Sequence, residues 1–453
     1  MSANDTIKER ALKYRWSPFT RTRYVEEHGL LPIVRGKGSK VYDIDDREYI
    51  DAHASLWLVN AGYGRQEIVE AAYRQMQTLP WFSCFEGFTN LPSVELAERL
   101  VRMLEPEGMD KVFFSGSGSE AVETALKIAR QYWKLRSKAE KYKVISRSRA
   151  YHGVTLGALS ATGMAVNRAM FEPLLPGFRH APCPDPYLRE VDAPDEGFGK
   201  ACAEALERVI RFEGPHTVAA IIVEPVQGAG GVIVPPEGYL RELREIATRH
   251  DVLLIFDEVI TGFGRTGDMF GARHWGVSPD IMTFAKGITS GYLPLGATAV
   301  RQEVFETFYR NEARGAFRHG NTYSGHPTAC AAALANLDII ENEDLAGNAR
   351  RIGSRLLDGL KGLAKHEIVG FVDGVGLLGR VQLVRDRKTR ALFAPELAVA
   401  DRISRRAREL GVIFRPLPND ALSFSPPLCL TAGEADTIVG VIDQAIGEVA
   451  KTL

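Results

Sequence analysis

Short apolar runs alternate with amphipathic segments through the middle of the chain. The runs are short and nearly continuous, which is typical of strands that are buried on both faces. They are Lys111–Phe114, Val144–Ser146, Val218–Val223, Val252–Phe256 and Ile281–Phe284. Helical patterns lie between them, over Glu120–Leu135, Gly199–Phe212 and Gly238–Arg249. Strands separated by helices in this way predict an α/β fold with a large, mostly parallel central sheet that helices cover on both faces.

The segment Glu120–Leu135 carries the clearest helical pattern. Its apolar residues recur at three- and four-residue spacing, which places them on one face of a helix. These residues are Val122, Ala125, Leu126, Ala129 and Trp133. We therefore expect this helix to pack against the sheet through that face.

Both ends of the chain differ from the middle. Residues 33–51 contain two short strands, Val41–Ile44 and Glu48–Ile50, on either side of a turn at Asp45–Asp46. From about residue 326 the chain is rich in helices, predicted over Thr328–Ile340, Ala346–Leu363, Ala398–Leu410 and Ala432–Val449, with a strand-like stretch at Gly379–Val384. We predict a smaller α+β domain formed by both termini. The expected boundaries are 1–64 for the N-terminal segment that joins it, 65–325 for the large domain and 326–453 for the C-terminal part.

Composition and charge narrow the class of protein. The 453 residues contain 56 Lys and Arg against 57 Asp and Glu, a formal net charge of −1. This balance gives no basic surface for nucleic acid, and no apolar run approaches the ~18 residues of a membrane helix. Five scattered cysteines without a C-x-x-C pair predict free, buried thiols rather than disulfides or a zinc site. We expect a cytoplasmic protein with no metal, membrane segment or nucleic-acid partner.

Two of the glycine clusters match a nucleotide-binding pattern. The chain has 43 glycines, and G-x-G-x-x-G occurs at Gly262–Gly267 and at Gly374–Gly379. Polar residues separate the first cluster from its strand, and no helix follows it at once. The second cluster runs directly into a strand-like stretch, which is typical of a hairpin turn. Neither has the strand–turn–helix context of a dinucleotide site, so we exclude that class.

A third glycine-containing segment, Gly116–Ala121, lies between a predicted strand and a predicted helix. Its backbone N–H groups and the hydroxyls of Ser117 and Ser119 would lie at a helix N-terminus, where unpaired donors and the helix dipole bind phosphate. No lysine occupies the position that a nucleoside-triphosphate loop requires. Taken alone, the segment is equally consistent with an ordinary helix start that has Ser119 as its N-cap.

Two charged side chains directly follow predicted strands. Asp257 comes after Val252–Phe256, and Lys286 comes after an apolar run that ends at Ala285. Ligands of α/β sheets bind at the carboxyl ends of the strands, although solvated strand-end residues would also explain each charge alone. Tyr151, after another strand, is either a ring-stacking residue or an ordinary loop aromatic. Together these residues offer a phosphate anchor, an acid for a ring nitrogen and an amine for a Schiff base.

These motifs resemble those of the class III aminotransferases, fold-type I enzymes that use pyridoxal 5′-phosphate (PLP). The matching segments occur in the family's order and cover nearly the whole chain. They are Ser117–Ala121, Tyr151–Gly153, Val223–Pro225, Asp257–Gly267, Lys286–Gly287 and Gly320–Pro327, with Trp16–Phe19 and Arg415–Pro416 near the two ends. Phe19, Trp57 and Arg415 make the chain most similar to the pyruvate-coupled ω-transaminases, which accept amines and ω-amino acids.

The resemblance implies a role for each residue of the site. Lys286 would carry PLP as a Schiff base and move the proton, and Asp257 would pair with the pyridine nitrogen. The residues implied in cofactor binding are Ser117, Gly118, Ser119, Tyr151, His152, Glu224, Asp257, Val259, Lys286 and Thr322, the last reaching in from a neighbouring subunit. Those implied in substrate binding are Phe19, Trp57, Phe85, Tyr151 and Arg415, the last as a carboxylate clamp.

The resemblance also implies the reaction and the assembly. The reaction would be a ping-pong transfer of an amino group from an amine or ω-amino acid to pyruvate. The protein would be a homodimer with shared active sites, with a tetramer as the larger alternative. Small-molecule amines, amino acids and keto acids would be its other partners.

One departure from the family pattern bears on the substrate. Ile260 stands where the ornithine branch commonly carries Gln, which argues against an arginine-pathway enzyme. Diaminopelargonate transaminases share a similar start around Trp16, and Phe19 in place of Tyr favours the ω-transaminases over them. Another class III activity, on a diaminopelargonate, taurine or ornithine-type donor, remains an alternative. A non-catalytic binding protein of the same fold is the alternative outside enzymes.

Overall fold

The strands of the protein form three sheets. The computed structural model describes residues 3–20, 22–311 and 313–453. The strands are β1 (Ile33–Lys37), β2 (Lys40–Asp43), β3 (Glu48–Asp51), β4 (Met109–Ser115), β5 (Lys143–Arg147), β6 (Phe178–Ala181), β7 (Val218–Val223), β8 (Leu253–Asp257), β9 (Ile281–Phe284), β10 (Gly296–Arg301), β11 (Val369–Val375), β12 (Leu378–Leu383), β13 (Val412–Ile413), β14 (Arg415–Leu417) and β15 (Ala421–Phe424).

The helices surround the largest sheet and fill the C-terminal part of the chain. They are α1 (Ala3–Tyr14), α2 (Thr22–His28), α3 (Ala54–Trp57), α4 (Gln66–Thr78), α5 (Leu91–Met103), α6 (Gly118–Leu135), α7 (Leu156–Ala161), α8 (Ala165–Arg168), α9 (Phe198–Glu213), α10 (Tyr239–Arg249), α11 (Gly271–Trp275), α12 (Gln302–Tyr309), α13 (Pro327–Asn342), α14 (Leu345–Lys361), α15 (Val399–Glu409) and α16 (Ala432–Ala450). Within the described ranges, none of them combines the length and the apolar composition that crossing a membrane requires.

The central sheet has seven strands in the order β4-β10-β9-β8-β7-β5-β6. Only β10 is antiparallel to its neighbours, so the expectation of a mostly parallel sheet is confirmed. Successive side chains of β7 enter two different cores, as the alternation of a strand requires. Ile221 and Val223 pack in the core that contains α9 and α10, whereas Ala220 and Ile222 pack with the apolar face of α6. Helices therefore cover both faces, and all of β7 and β8 is buried.

The two smaller sheets have four strands each. One has the order β1-β2-β3-β13, and its only parallel pair joins β3 to β13, with Ile50 opposite Val412. This pair connects the two ends of the chain, as the prediction of a small domain from both termini requires. The other sheet is antiparallel, in the order β11-β12-β15-β14. The cluster Gly374–Gly379 forms the β11–β12 hairpin, which confirms that it is not a nucleotide loop.

A buried ion network ties the small domain to the loop that precedes Tyr151. Asp185 has fully buried oxygens that accept from the Nη1 of Arg380 at 2.9 Å and from the Nη1 of Arg149 at 2.8 Å. Burial alone would raise the pKa of Asp185, but the two guanidinium groups lower it to about 2. Arg380 belongs to β12, and Arg149 lies two residues before Tyr151.

We predict that Arg380→Leu destabilises the protein strongly. The variant leaves a buried Asp185 carboxylate with one guanidinium partner instead of two, which lowers the free energy of unfolding by about 3–5 kcal/mol. Urea denaturation followed by circular dichroism measures the loss. The matched control is Arg355→Leu, because Arg355 pairs with Asp436 on the surface, where both side chains are about half exposed. Its cost stays below about 1 kcal/mol, and equal losses in the two variants would contradict the account.

Candidate active site

The carboxyl ends of five strands surround one cavity. Strands β4, β5, β7, β8 and β9 run in the same direction, so the segments that follow them meet at a single edge of the central sheet. The cavity has a volume of about 150 Å³. It is lined by Ser117, Gly118, Ser119, Tyr151, His152, Gly153, Glu224, Asp257, Val259, Ile260, Ala285 and Lys286. Nine of these twelve residues belong to the predicted site; Gly153, Ile260 and Ala285 do not.

Asp257 is the last residue of β8 and is held by two buried neighbours. The Nδ1 of His152 donates to its Oδ2 at 2.8 Å, and the hydroxyl of Thr283 donates to its Oδ1 at 3.2 Å. Because an ionised carboxylate only accepts, the proton of the imidazole lies on Nδ1. The Nε2 of His152 is buried and has no hydrogen-bond partner. These contacts fix the orientation of the carboxylate at the floor of the cavity.

Lys286 follows β9 and has an unusual environment for a lysine. Its φ of +46° lies in the left-handed region, which costs on the order of 1–3 kcal/mol for a residue with a side chain. Burial lowers its pKa to about 8, although the negative charges of Asp257 and Glu224 oppose that shift. No hydrogen bond from its Nζ occurs within the described ranges, and the ammonium lies 5.3 Å from the centre of the Trp57 ring. The amine is therefore close to deprotonation near neutral pH.

The glycine after Lys286 is needed for close packing. A Cβ atom at Gly287 would lie 2.4 Å from the Nδ2 of Asn60, which donates to the carbonyl of Phe263 at 2.9 Å. Any larger residue would displace that amide. The φ of Gly287 is not positive, so the reason for the glycine is this close packing and not a left-handed backbone.

The loop after β4 presents donors to the cavity. Ser117, not Ser119, is the N-cap of α6: its hydroxyl accepts from the N–H of Glu120 at 3.3 Å. The expected N-cap was therefore wrong by two residues, because Ser119 already lies inside the helix, where its hydroxyl accepts from the N–H of Val154 at 3.1 Å. The N–H groups of Gly118 and Ser119 belong to the first helical turn and have no acceptor within the helix. This arrangement is suited to an anion.

Tyr151 is held by Glu224, which follows β7. The buried carboxylate accepts from the N–H of Tyr151 at 3.0 Å and from the N–H of Gly228 at 2.9 Å. Burial raises the pKa of Glu224. Val259 also lines the cavity, and a Cβ at Gly118 would come within 3.1 Å of it. Glu224 thus fixes the backbone that carries the aromatic ring.

Trp57 and Arg415 form a wall next to Lys286. The Trp57 ring is 2% exposed, and the Arg415 guanidinium lies 5.4 Å from its centre. Burial lowers the pKa of Arg415. Within the described ranges Arg415 has no ion-pair partner and donates no side-chain hydrogen bond. A partly buried guanidinium without an acid is suited to an anionic ligand.

Five predicted residues are absent from the lining of this cavity: Trp57 and Arg415, which lie beside Lys286, and three residues at the surface of the chain. Phe19 is 72% exposed, with a φ of +53°. Phe85 is 44% exposed and lines a separate groove of about 910 Å³ together with Gly320 and Gly325. Thr322 is also exposed, in the segment between those two glycines. The single chain therefore brings together the residues that follow the strands, and leaves these three at its surface.

Two residues near the site were not predicted. Thr283 pairs directly with Asp257 in the register of β8 and β9, and its position as the polar residue of an apolar strand was a usable signal. His53 packs edge-on against Trp57, with 4.4 Å between the ring centres. Its burial, and then the positive charges of Arg415 and Lys286, hold the pKa of His53 well below its usual range. Nothing in the local sequence distinguishes His53 from a core histidine.

Comparisons with known proteins agree with this geometry. The family model described as aminotransferase class III matches residues 23–446. A putrescine–pyruvate aminotransferase of Pseudomonas aeruginosa is 40% identical, over 96% of this chain and 94% of that protein. A diaminobutyrate–2-oxoglutarate transaminase of Halomonas elongata is 43% identical, over 94% of this chain and 92% of that protein. The crystal structure of an ω-transaminase of Pseudomonas jessenii in complex with PMP is 41% identical, covers 98% of both chains and has a TM-score of 0.95.

The fold and the site thus define a PLP-dependent transaminase. The chain belongs to the class III aminotransferase family. The prediction of a fold-type I enzyme that uses PLP is confirmed, and the alternative of a non-catalytic binding protein is not supported.

The residues of the cavity fit PLP. The unpaired N–H groups at the start of α6 suit its phosphate, and the carboxylate of Asp257 suits a protonated ring nitrogen. The Nε2 of His152 is a buried polar atom in the cavity wall that has no partner among the residues described. Among the same residues, the amine of Lys286 has no hydrogen-bond acceptor that the cofactor would have to displace. Gly118 leaves room that a side chain would take from Val259.

We predict that Lys286→Met stabilises the cofactor-free protein at pH 7. The folded protein binds the lysine proton with a pKa of about 8, against an ordinary value of 10.5, so wild-type stability rises with pH between these values. Removing the charged amine therefore raises the free energy of unfolding at pH 7 by about 1–3 kcal/mol. The gain shrinks as the pH approaches 10, and urea denaturation at several pH values measures it.

Lys141→Met is the matched control. Burial also lowers the pKa of Lys141 to about 8, but its ammonium donates to the carbonyls of Val218 and Asp251 and lies 4.3 Å from the centre of the Trp133 ring. Removing it leaves those carbonyls unpaired, so this variant is destabilised. A loss of stability in Lys286→Met, or a gain that does not change with pH, would contradict the account.

Proposed function

We propose that the protein transfers an amino group from an amine or ω-amino acid to pyruvate by a ping-pong mechanism. The observation that carries the proposal is the position of Arg415. Its guanidinium lacks an acidic partner within the described ranges and shares the Trp57 ring with Lys286. A keto acid needs a cation for its carboxylate beside the reactive amine, whereas a simple amine needs only the apolar ring. One pocket then serves both halves of the reaction.

The residues of the chain divide the chemical work. PLP, when bound, supplies a carbonyl that takes up the amino group and a ring that withdraws electrons. Lys286 would hold the cofactor and, once the donor amine has displaced it, would carry the proton from the amine-bearing carbon of the substrate to the cofactor, which its lowered pKa permits. Asp257, fixed by His152 and Thr283, keeps the ring nitrogen protonated. Ser117, Gly118 and Ser119 bind the phosphate, while Tyr151 and Val259 enclose the ring.

The relatives differ in the keto acid that accepts the amino group. The P. aeruginosa relative is named for pyruvate and the H. elongata relative for 2-oxoglutarate. Pyruvate is favoured here because it has one carboxylate, and beside Trp57 and Lys286 the described part of the chain offers the Arg415 guanidinium, which has no acidic partner there. Initial rates with β-alanine, putrescine, taurine and a benzylic amine, each against pyruvate and 2-oxoglutarate, test the proposal. A strong preference for 2-oxoglutarate across the panel would overturn the pyruvate assignment.

We predict that Arg415→Ala separates two kinds of donor. Loss of the bidentate carboxylate contact raises the KM for β-alanine and pyruvate about 10- to 100-fold, while the KM for a benzylic amine changes little. Arg415→Lys is the matched variant, because it keeps the positive charge but loses the planar fork of the guanidinium. Its KM for β-alanine and pyruvate should lie between the wild-type value and that of Arg415→Ala. Steady-state kinetics with each donor measure the effect. An equal increase in KM for donors with and without a carboxylate would exclude Arg415 as the carboxylate clamp.

We further propose that two copies of the chain share their active sites. Aromatic side chains are exposed along 73–88 and at Tyr323, where Trp81 and Tyr323 lie 6.5 Å apart and Phe82 and Phe88 lie 5.4 Å apart. Soluble monomers rarely expose apolar surface of this kind. The groove beside Phe85 belongs to the same surface. A second copy that covers it would place Thr322 and Phe85 at the partner's cofactor.

A subunit-mixing experiment tests the shared site. Lys286→Ala and Thr322→Glu are each expected to be inactive. The first variant lacks the reactive amine, and the second places a carboxylate against the phosphate of the cofactor. After mixed refolding, a heterodimer has one site with both changes and one site with neither. Activity therefore returns, to roughly one quarter of the wild-type value for random association of equal amounts. If Thr322 served its own subunit, every site would carry one change and the mixture would stay inactive.

A further inference from the structure

The segment that carries Trp57 has a strained backbone. Ala54, Ser55 and Trp57 have φ values of 45°, 60° and 55°. Residues with side chains rarely adopt such values, because the Cβ then crowds the backbone. Ser55, with φ 60° and ψ −69°, has the dihedral angles of a γ-turn with positive φ, which is rare and costly. Backbone of this kind persists only where neighbouring groups hold it.

The carboxylate of Asp51 holds this segment. Asp51 is the last residue of β3 and is 3% exposed. Its Oδ1 accepts from the N–H of His53 at 3.0 Å. Its Oδ2 accepts from the N–H of Ser55 at 2.6 Å and from the hydroxyl of Tyr63 at 2.6 Å. Hydrogen bonds to an ionised acceptor are stronger than neutral ones, so the carboxylate can offset much of the strain.

The position of the Trp57 ring depends on the same turn. The N–H of Trp57 donates to the carbonyl of His53 at 3.0 Å, and the His53 ring packs against the indole. Two cations also lie over the indole, Lys286 at 5.3 Å and Arg415 at 5.4 Å from the ring centre. A change in the turn would therefore move the ring relative to the reactive amine and the proposed carboxylate clamp.

We propose that Asp51 is a positioning residue for the substrate pocket. Its carboxylate keeps Ala54–Trp57 in the strained form and so fixes the indole wall beside Lys286 and Arg415. The inference rests on the proposed function, because it takes Trp57 as the wall that substrates contact. Asp51 itself need not touch a substrate. It sets how tightly donors bind, and the proton transfer at Lys286 does not depend on it.

Asp51→Asn is the test, and Asp43→Asn is its matched control. Asp43 is also buried, and it accepts from the hydroxyl of Tyr49 at 2.7 Å and from two N–H groups of its own turn, at Asp45 and Arg47. That turn, between β2 and β3, carries no residue of the site. We expect Asp51→Asn to raise the KM for amine donors about tenfold while kcat falls by less than about threefold. Asp43→Asn should lower the melting temperature and leave both constants unchanged.

Ser55→Gly provides the rescue. Glycine adopts positive φ without the clash of a Cβ, so the turn needs less support from the carboxylate. In the Asp51→Asn background this second change should return the KM to within about threefold of the wild-type value. A residue that only stabilised the fold would let Ser55→Gly raise the melting temperature without restoring the KM.

A second readout uses no substrate. Acrylamide quenching of the Trp57 fluorescence is measured in the cofactor-free protein. Each variant is compared with the same variant carrying Trp57→Phe, and subtracting the second fluorescence signal from the first removes the contribution of the other four tryptophans. Quenching should increase in Asp51→Asn and not in Asp43→Asn. Unchanged quenching and unchanged KM in Asp51→Asn would overturn the inference. If the wild type transferred no amino group to pyruvate, the proposed function would fail, and the quenching comparison would still test Asp51.

Discussion

Placing the Lys286 amine at the carboxyl edge of a buried sheet is the constraint on which the rest of the site depends. An ammonium group loses hydration there, and burial lowers its pKa to about 8 even though Asp257 and Glu224 are close. Arg265 and Arg415 add positive charge that opposes protonation further. A lysine becomes a nucleophile and a proton carrier only when it can be neutral at working pH. The cost in folding free energy and the proposed catalytic use of Lys286 thus have the same cause.

Two groups of the site, Asp257 and Tyr151, are held by buried polar groups on neighbouring elements. His152 and Thr283 orient Asp257, and Glu224 fixes the backbone of Tyr151. The supporting groups lie on or directly after strands of the central sheet, so they move little relative to one another. Rigid support of this kind keeps donors and acceptors in place without reorganisation during the reaction. The substrate wall is different, because Trp57 lies on a strained turn outside the large sheet.

Much of the fold and of the cofactor site could be predicted from the sequence, because β7, β8 and β9 are short, mostly apolar runs and a charged residue stands at or just after the end of each. Asp257, Lys286 and Glu224 follow this rule. Strand β10 was missed because Gly296–Arg301 is mostly small residues, and its pairing with β4 and β9 depends on long-range contacts. The pairing of Thr283 with Asp257 depends on strand register, which a single strand does not reveal. Phe85 and Thr322 are exposed in one chain, so the proposal that they belong to the site rests on the proposed second copy.

The absorption spectrum of the PLP-loaded protein tests the central claim most directly. An amine donor is added without a keto acid, and pyruvate is added afterwards. If Lys286 and Asp257 form the transferring site, the donor removes the visible band of the bound cofactor and pyruvate restores it, whereas Lys286→Ala does neither. A wild-type spectrum that no donor changes, or a Lys286→Ala protein that cycles like the wild type, would contradict the account.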